Sequence, residues 1–246
     1  MSRHAKRLMA PRTLQIPRKE HKFIVKPSPG PHNYETSVPL LIAIRDMLGL
    51  ATNARETKKI IKSGKVLVDA KVRKDHKFPI GLMDILEIPE AEILKIVMIN
   101  RKGKIVFEDI SKDASRTKLY KIRNKTILRG GNLQLNLHDG TNLLIPVKDS
   151  RDPEEDIYGT RDTLVVSLAN KEIEKHIKYN EGSLAYITGG SHRGEIARIK
   201  EIKKIRSTIP NEVVLEGNDG TAFETIEEYV FIIGEESPVL PEVVFP

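Results

Sequence analysis

The run NARETKKIIKSGKVLVDAKVR, residues 53 to 73, decides how this chain is read. Asn53 has a side-chain oxygen suited to cap a helix, Glu56 follows at capping-box spacing, and Gly64 stands where a helix closes in the left-handed region. The spacing predicts a helix whose two faces differ in chemistry. Arg55, Lys58, Lys59 and Lys62 fall at i, i+3, i+4 and i+7 on one side, and Ala54, Thr57, Ile60 and Ile61 form the other. Residues 65–68 and 71–73 then alternate as two short strands about Asp69 and Ala70. Ala70 is the weak element, because a two-residue turn needs positive φ and favours glycine. From Arg55 to Lys77 there are nine Lys and Arg against three acids. A solvated helix face interleaves its signs in i, i+4 pairs; this one scarcely does, which points to phosphate binding.

Upstream, Leu40, Leu41, Ile44, Met47 and Leu48 repeat at helical spacing and stop at Gly49, which predicts a first helix with Pro39 near its N1 position. Before it, residues 1–39 hold six prolines, at 11, 17, 27, 29, 31 and 39, among basic residues. Proline at that density forbids a continuous helix, so an extended basic arm is expected, one that becomes ordered by docking on a partner.

Downstream the chain reads as mainly β. Strands are expected at 85–88, 93–99, 104–107, 125–128, 133–137, 142–147 and 163–167, with Gly130-Gly131-Asn132 and Asp139-Gly140 as turn signals. Residues 101–129 add ten Lys and Arg against three acids, so the basic surface is expected to continue there. Residues 148–162 read as a loop. A last β region starts near Glu181. It runs through Leu184, Tyr186 and Ile187 into GGSHRG (189–194), whose glycines let backbone approach a phosphate or base, continues as a strand through Ile196, Ile199 and Ile202, and ends with 213–215 and 229–233 as a small barrel.

The whole chain has 246 residues, 41 Lys and Arg and 34 Asp and Glu, a formal net charge of +7. Its distribution matters more than its sum. Residues 1–26 hold eight cations against Glu20 alone, whereas residues 207–246 hold nine acids and no cation. A polyanionic partner is implied for the front and middle, and solvent or a basic neighbouring protein for the acidic end. With 39% apolar residues, 5% aromatics and no Trp, several small modules are expected rather than one large core. The absence of Cys excludes disulfides, thiol catalysis and Cys-ligated zinc, and fits a reducing compartment. Apolar runs are too short for a membrane span, and the basic start has no signal-peptide core.

Enzyme motifs are weak. Gly159-Thr160-Arg161-Asp162 contains an Arg-Asp pair reminiscent of a pseudouridine-synthase loop, in the wrong order. Gly189-Gly190-Ser191-His192-Arg193 is one residue away from a nucleophile elbow, and Gly189 to Gly194 has P-loop glycine spacing without the Lys-Ser/Thr that follows it. The seven histidines never approach metal-ligand spacing. Neighbouring acids such as Glu154-Glu155 and Glu227-Glu228 point apart. No catalytic site, metal or cofactor is expected.

Three stretches resemble known families. Residues 38 to about 104, the run from 53 to 73 above all, resemble the helix-helix-hairpin RNA-binding module first described in ribosomal protein four of the small subunit. Residues 181 to about 210, with GGSHRGEIARI and Gly194 at the near-invariant glycine, resemble a KOW motif of ribosomal and transcription-elongation proteins. The N-terminus HAKRLMAPRTLQIPR is similar to the opening signature of the archaeal and eukaryotic small-subunit ribosomal protein family "S four e". His4, Lys6, Arg7 and Pro11 match it, and Leu14 stands where that signature has an aromatic.

The resemblance implies an α+β multidomain chain: a basic arm over 1–37, the RNA-binding module over 38–104, a central mainly-β domain over 105–175, and a KOW-type, SH3-like β-barrel with an acidic tail over 176–246. It implies a cytoplasmic structural constituent of the small ribosomal subunit that binds and stabilises small-subunit ribosomal RNA beside neighbouring ribosomal proteins. No enzymatic activity, membrane, small-molecule substrate or homo-oligomer is implied. The residues expected on RNA are Arg3, His4, Lys6, Arg7, Arg12, Arg18, Lys19 and Lys22 in the arm. In the module they are Arg55, Lys58, Lys59, Lys62, Lys65, Lys71, Arg73 and Lys74, and in the last β region Gly190, Ser191, His192, Arg193 and Gly194. Two alternatives stay open: an RNA-modifying enzyme of the pseudouridine-synthase type, and a free RNA-binding translation or transcription factor.

Overall fold

The computed structural model describes residues 4–148, 154–217 and 219–240. The fold is mostly β with few helices, and the chain divides into two compact units at Arg116/Thr117.

The first unit is built around the buried run Val38 to Ile44. Strand β3 (Val38–Pro39) leads into helix α1 (Leu40–Ile42), which widens into a π turn over Ala43–Met47, where the Leu48 amide donates to the Ala43 carbonyl at 2.9 Å. Gly49, at φ 66°, ends it. Helix α2 (Ala54–Lys62) starts as its sequence dictates: the Asn53 side chain accepts from the Glu56 amide at 2.9 Å, and the Glu56 carboxylate reaches back to the Thr52 amide at 3.0 Å. Such a cap contributes about 1 kcal/mol. Strands β4 (Leu67–Val68) and β5 (Lys71–Val72) form the expected hairpin, with Asp69 and Ala70 at φ 52° and 58°. Asp69 is fixed there by Ile85: the Asp69 amide donates to the Ile85 carbonyl at 2.9 Å, and the Ile85 amide donates to the Asp69 carboxylate at 3.0 Å.

Strands β6 (Pro79–Ile80), β7 (Ile85–Ile88), β8 (Ile93–Ile99) and β9 (Ile105–Asp109) follow, and β5-β4-β7-β8-β9 make one antiparallel sheet under the helices. Residues 105–109, expected to open the central domain, therefore belong to the first unit, because β9 pairs along β8.

The proline-rich arm differs from expectation. Strand β1 (Ala5–Lys6) pairs with β2 (Phe23–Ile24), and Ala10, Leu14 and Ile24 enter the same core as α1, Ile61, Val68 and Leu86. The Ile105 amide donates to the Thr13 carbonyl at 2.9 Å, and His32 Nε2 lies 2.9 Å from the buried Asp84 carboxylate. The described part of the arm is thus held by its own chain, with Leu14 filling the core where the family signature has an aromatic.

In the second unit, β10 (Thr117–Ile127), β11 (Leu133–Leu137), β12 (Asn142–Ile145), β13 (Thr163–Ser167) and β14 (Ile173–Ile177) form an antiparallel sheet in the order β12-β11-β10-β13-β14. The strand expected at 125–128 is the end of the eleven-residue β10, which bulges at Arg123. Strands β15 (Leu184–Ile187), β16 (Ile196–Lys203), β17 (Glu212–Gly217), β18 (Ala222–Ile226) and β19 (Val230–Gly234) form a second sheet in the order β18-β17-β16-β15-β19. Edge strands β14 and β18 were not among the expected ones, since an edge strand buries too little to need a clear apolar alternation.

Lys121 links the two sheets. Its ammonium donates to the Glu228 and Val230 carbonyls at 2.9 and 2.5 Å, and burial, with Arg161 as a second cause, brings its pKa down to about 8. Lys118, equally interior, faces the buried Asp139 carboxylate at 3.7 Å. Two of the cations assigned to a continuing basic surface are therefore internal, and Lys125 is paired with Asp156 at 2.7 Å.

Candidate nucleic-acid interface

The cationic face of α2 is present as the spacing predicts. Thr57 and Ile61 turn into the core while Arg55, Lys58, Lys59 and Lys62 are exposed. Among the described residues none of the four has a carboxylate partner. Four positive charges within two turns repel one another, a cost that an anion laid across them removes. His76 reports the field: its pKa is lowered by burial and then by the charge of Lys58, with Lys77 and Lys62 acting in the same sense.

The hairpin beside the helix contributes unevenly. Lys71 and Lys74 are exposed, whereas Lys65 pairs with Glu90 at 2.6 Å. Half-buried Arg73 lies over the Phe78 ring, 4.3 Å from its centroid, as a cation-π contact.

The arm residues separate into two kinds. Lys6, Arg12, Lys19 and Lys22 are exposed, and His4 is exposed beside Phe23 at 5.8 Å between ring centroids. Arg7 and Arg18 act as fasteners instead, Arg7 buried and Arg18 half-buried. Arg7 is 1% exposed and donates from Nε to the Pro17 carbonyl at 2.5 Å, and Arg18 donates to the Ala10 and Pro11 carbonyls at 2.6 and 2.8 Å. A guanidinium supplies five donors in a fixed fork, so in a proline-rich segment short of amide donors it can hold several carbonyls. Buried Arg7 is thereby removed from the RNA-facing set, while Arg18 is largely committed to holding the arm. Arg3 lies outside the described residues.

In the glycine loop between β15 and β16, Gly190, Ser191 and Arg193 are exposed. Gly194 is buried at φ 79°, with its amide donating to the Ile187 carbonyl at 2.7 Å, a conformation that disfavours any β-carbon. His192 stacks on Phe223 with centroids 3.9 Å apart and sits 3.2 Å from the Glu195 carboxylate, so it braces the loop.

The Arg-Asp pair weighed above as enzyme-like is structural on the Asp side. Asp162 is buried and accepts from the Gly159 amide at 2.7 Å, the Tyr179 amide at 2.8 Å and His176 Nε2 at 2.6 Å, which fills three of its roughly four acceptor directions. Nearby, the Tyr179 hydroxyl has its pKa raised by burial and by Glu227, which keeps it protonated. Among the described residues no group of three or more His, Asp or Glu side chains could hold a metal ion.

Relatives match nearly the full length of the chain. The chain is 50% identical to the small ribosomal subunit protein eS4 of Methanocaldococcus jannaschii over 238 residues, covering 97% of this chain and 96% of that one. The chain belongs to the ribosomal family S4e. The family's model matches residues 96–173, and a model of the RS4NT (NUC023) domain matches residues 1–35. Among S4e relatives, the eS4 protein of Methanococcus vannielii is 49% identical over the same coverage. The crystal structure of the 30S ribosomal protein S4e from Thermoplasma acidophilum superposes with a TM-score of 0.67 at 34% identity, over 81% of this chain and 96% of that one. No helix among the described residues is long and apolar enough to cross a membrane.

Proposed function

We propose that the chain is a structural constituent of the small ribosomal subunit and works in the cytoplasm by binding and stabilising small-subunit ribosomal RNA. The observation that carries this is the α2 face, where Arg55, Lys58, Lys59 and Lys62 project without carboxylate partners among the described residues, in a chain of the S4e family. RNA offers phosphates and 2′-hydroxyls while its deep groove hides the bases, so an array of cations on a rigid helix suits recognition by shape. Helices α1 and α2 with the β4-β5 hairpin act as the RNA-binding module. The arm's exposed Lys6, Arg12, Lys19 and Lys22 add phosphate contacts. The β15-to-β19 sheet serves as the KOW-type barrel, presenting Gly190, Ser191 and Arg193. The described acidic residues of the C-terminal stretch face solvent or a basic neighbouring ribosomal protein. The protein needs no cofactor and performs no chemistry.

Replacing Arg55, Lys58, Lys59 and Lys62 by Gln tests this. If each neutralises one phosphate, the slope of log affinity for small-subunit ribosomal RNA against log salt falls by about three units, at about 0.7 to 0.9 per contact. An unchanged slope with an unchanged circular dichroism spectrum would refute it. Sedimentation separates a subunit constituent, which stays with the small particle in high salt, from a free factor, which washes off.

A further inference from the structure

The lobe formed by β10, β11 and β12 carries a surface unlike the rest of this highly charged chain. Its three strands contain Lys118, Lys121, Arg123 and Lys125 and no acidic residue. Register defines two faces. Inward, Leu133, Leu135 and Leu143 are buried. Outward, Asn124, Asn136 and Asn142 lie in one cross-strand row, and Thr126, Gln134 and Leu144 in the next. These six are exposed or half-buried, and Leu144, an apolar side chain on an edge strand, is 60% exposed. The sheet therefore shows water a neutral field of amides where surface strands normally show charge. Arg123, at the bulge beside the first row, and Arg129, in the turn past the second, are exposed cations.

We propose that this outer face docks in the minor groove of a double-helical segment of RNA, an inference that rests on the RNA-binding reading above and adds a second contact of different chemistry. Three strands span about 10 Å across and two rows about 7 Å along, the size of a shallow groove floor. A-form RNA exposes 2′-hydroxyls and base edges there, mixed donors and acceptors that carry no charge. Asn and Gln amides offer both a donor and an acceptor; Asn124 Oδ1 already accepts from the Lys125 amide at 2.8 Å and Asn136 Oδ1 from Gln134 Nε2 at 2.6 Å, so these two present chiefly their Nδ2 donors to the groove. Leu144 packs on ribose, and Arg123 and Arg129 reach the phosphates at the groove walls. Ile127 and Leu128 at the end of β10 are exposed too, but Ile127 pairs with Leu133 and so belongs to the opposite face; in the amide rows themselves Leu144 is the large apolar side chain, less than a protein partner would call for. Simple phosphate tracking would call for cations in place of the amides.

The test uses the full chain, a transcript of small-subunit ribosomal RNA, and the triple variant Asn124→Ala, Asn136→Ala, Asn142→Ala. A neutral hydrogen bond is worth about two- to tenfold in affinity, so the triple variant should bind at least tenfold more weakly. Its salt slope should stay that of the wild type, because an amide releases no counterion. Hydroxyl-radical cleavage, which reads ribose exposure, should show a protected minor groove with the wild type that opens with the variant. If the variant melts lower than the wild type, the edge-strand pair Asn142→Ala, Leu144→Ala replaces it, with the same footprint expected to open. Unchanged affinity and footprint would overturn the proposal, as would a variant that binds RNA normally but fails to enter the subunit, since that marks a protein-facing surface. A wild-type chain that ignores the transcript would instead sink the RNA-binding reading itself.

Discussion

Replacing Lys121 with methionine should remove a rise in stability that the natural chain gains at alkaline pH. The Lys121 ammonium is enclosed between β10 and β19 with two backbone carbonyls as partners, and burial brings its pKa from 10.5 to about 8. Unfolded, the same lysine keeps its proton up to about pH 10.5. Between these limits the unfolded chain binds more protons than the folded one, so the burial penalty is fully present below pH 8 and disappears as pH climbs to 10.5. A displacement from 10.5 to about 8, at 1.36 kcal/mol per pH unit, amounts to about 3 kcal/mol. Methionine fills similar volume and does not titrate. Urea denaturation of both proteins at pH values on either side of this window, followed by far-ultraviolet circular dichroism, gives the difference in stability at each. Because other lysines and tyrosines titrate in both chains, the wild-type minus variant difference isolates Lys121. That difference should grow in favour of the wild type by about 3 kcal/mol over the window; two parallel curves would refute the assignment.

Two further outcomes are expected. Ala70→Gly should stabilise the chain by about 0.5 to 1 kcal/mol, since relief of a left-handed alanine outweighs the added freedom of glycine in the unfolded state, and a lower urea midpoint would count against the turn geometry. Binding of ribosomal RNA across α2 should raise the pKa of His76, because phosphate cancels the repulsion from Lys58, and affinity should weaken as pH rises through that range. An imidazole titration by NMR with and without RNA measures it, and a fixed midpoint would place the RNA elsewhere.

What could be read in the sequence was what local rules decide. Asn53, Glu56 and Gly64 bound α2 because capping depends on residues a turn apart, and the alternation of Leu133, Leu135 and Leu137 marks β11 by itself. Long-range partners were hidden. Arg7 and Arg18 look like any exposed cation until the chain folds back on them, since what they hold is backbone carbonyl, which has no residue signature. Lys118 and Lys121 sit on opposite faces of β10, and both faces are covered there, so no alternation announces their burial. The neutral rows on β10 to β12 depend on cross-strand register, which no single strand specifies. The cationic face was legible as chemistry, and only its setting had to come from the fold.

The two guanidinium fasteners of the arm bear on assembly. Fixing backbone costs on the order of 1 to 2 kcal/mol per residue, and a basic tail that stays loose meets that cost when it lands on its target. Here Arg7, Arg18 and the His32-Asp84 contact meet it during folding, within one chain. If the arm docks on RNA as proposed, its described residues arrive already folded, so docking is governed by charge and orientation rather than by a search through chain conformations.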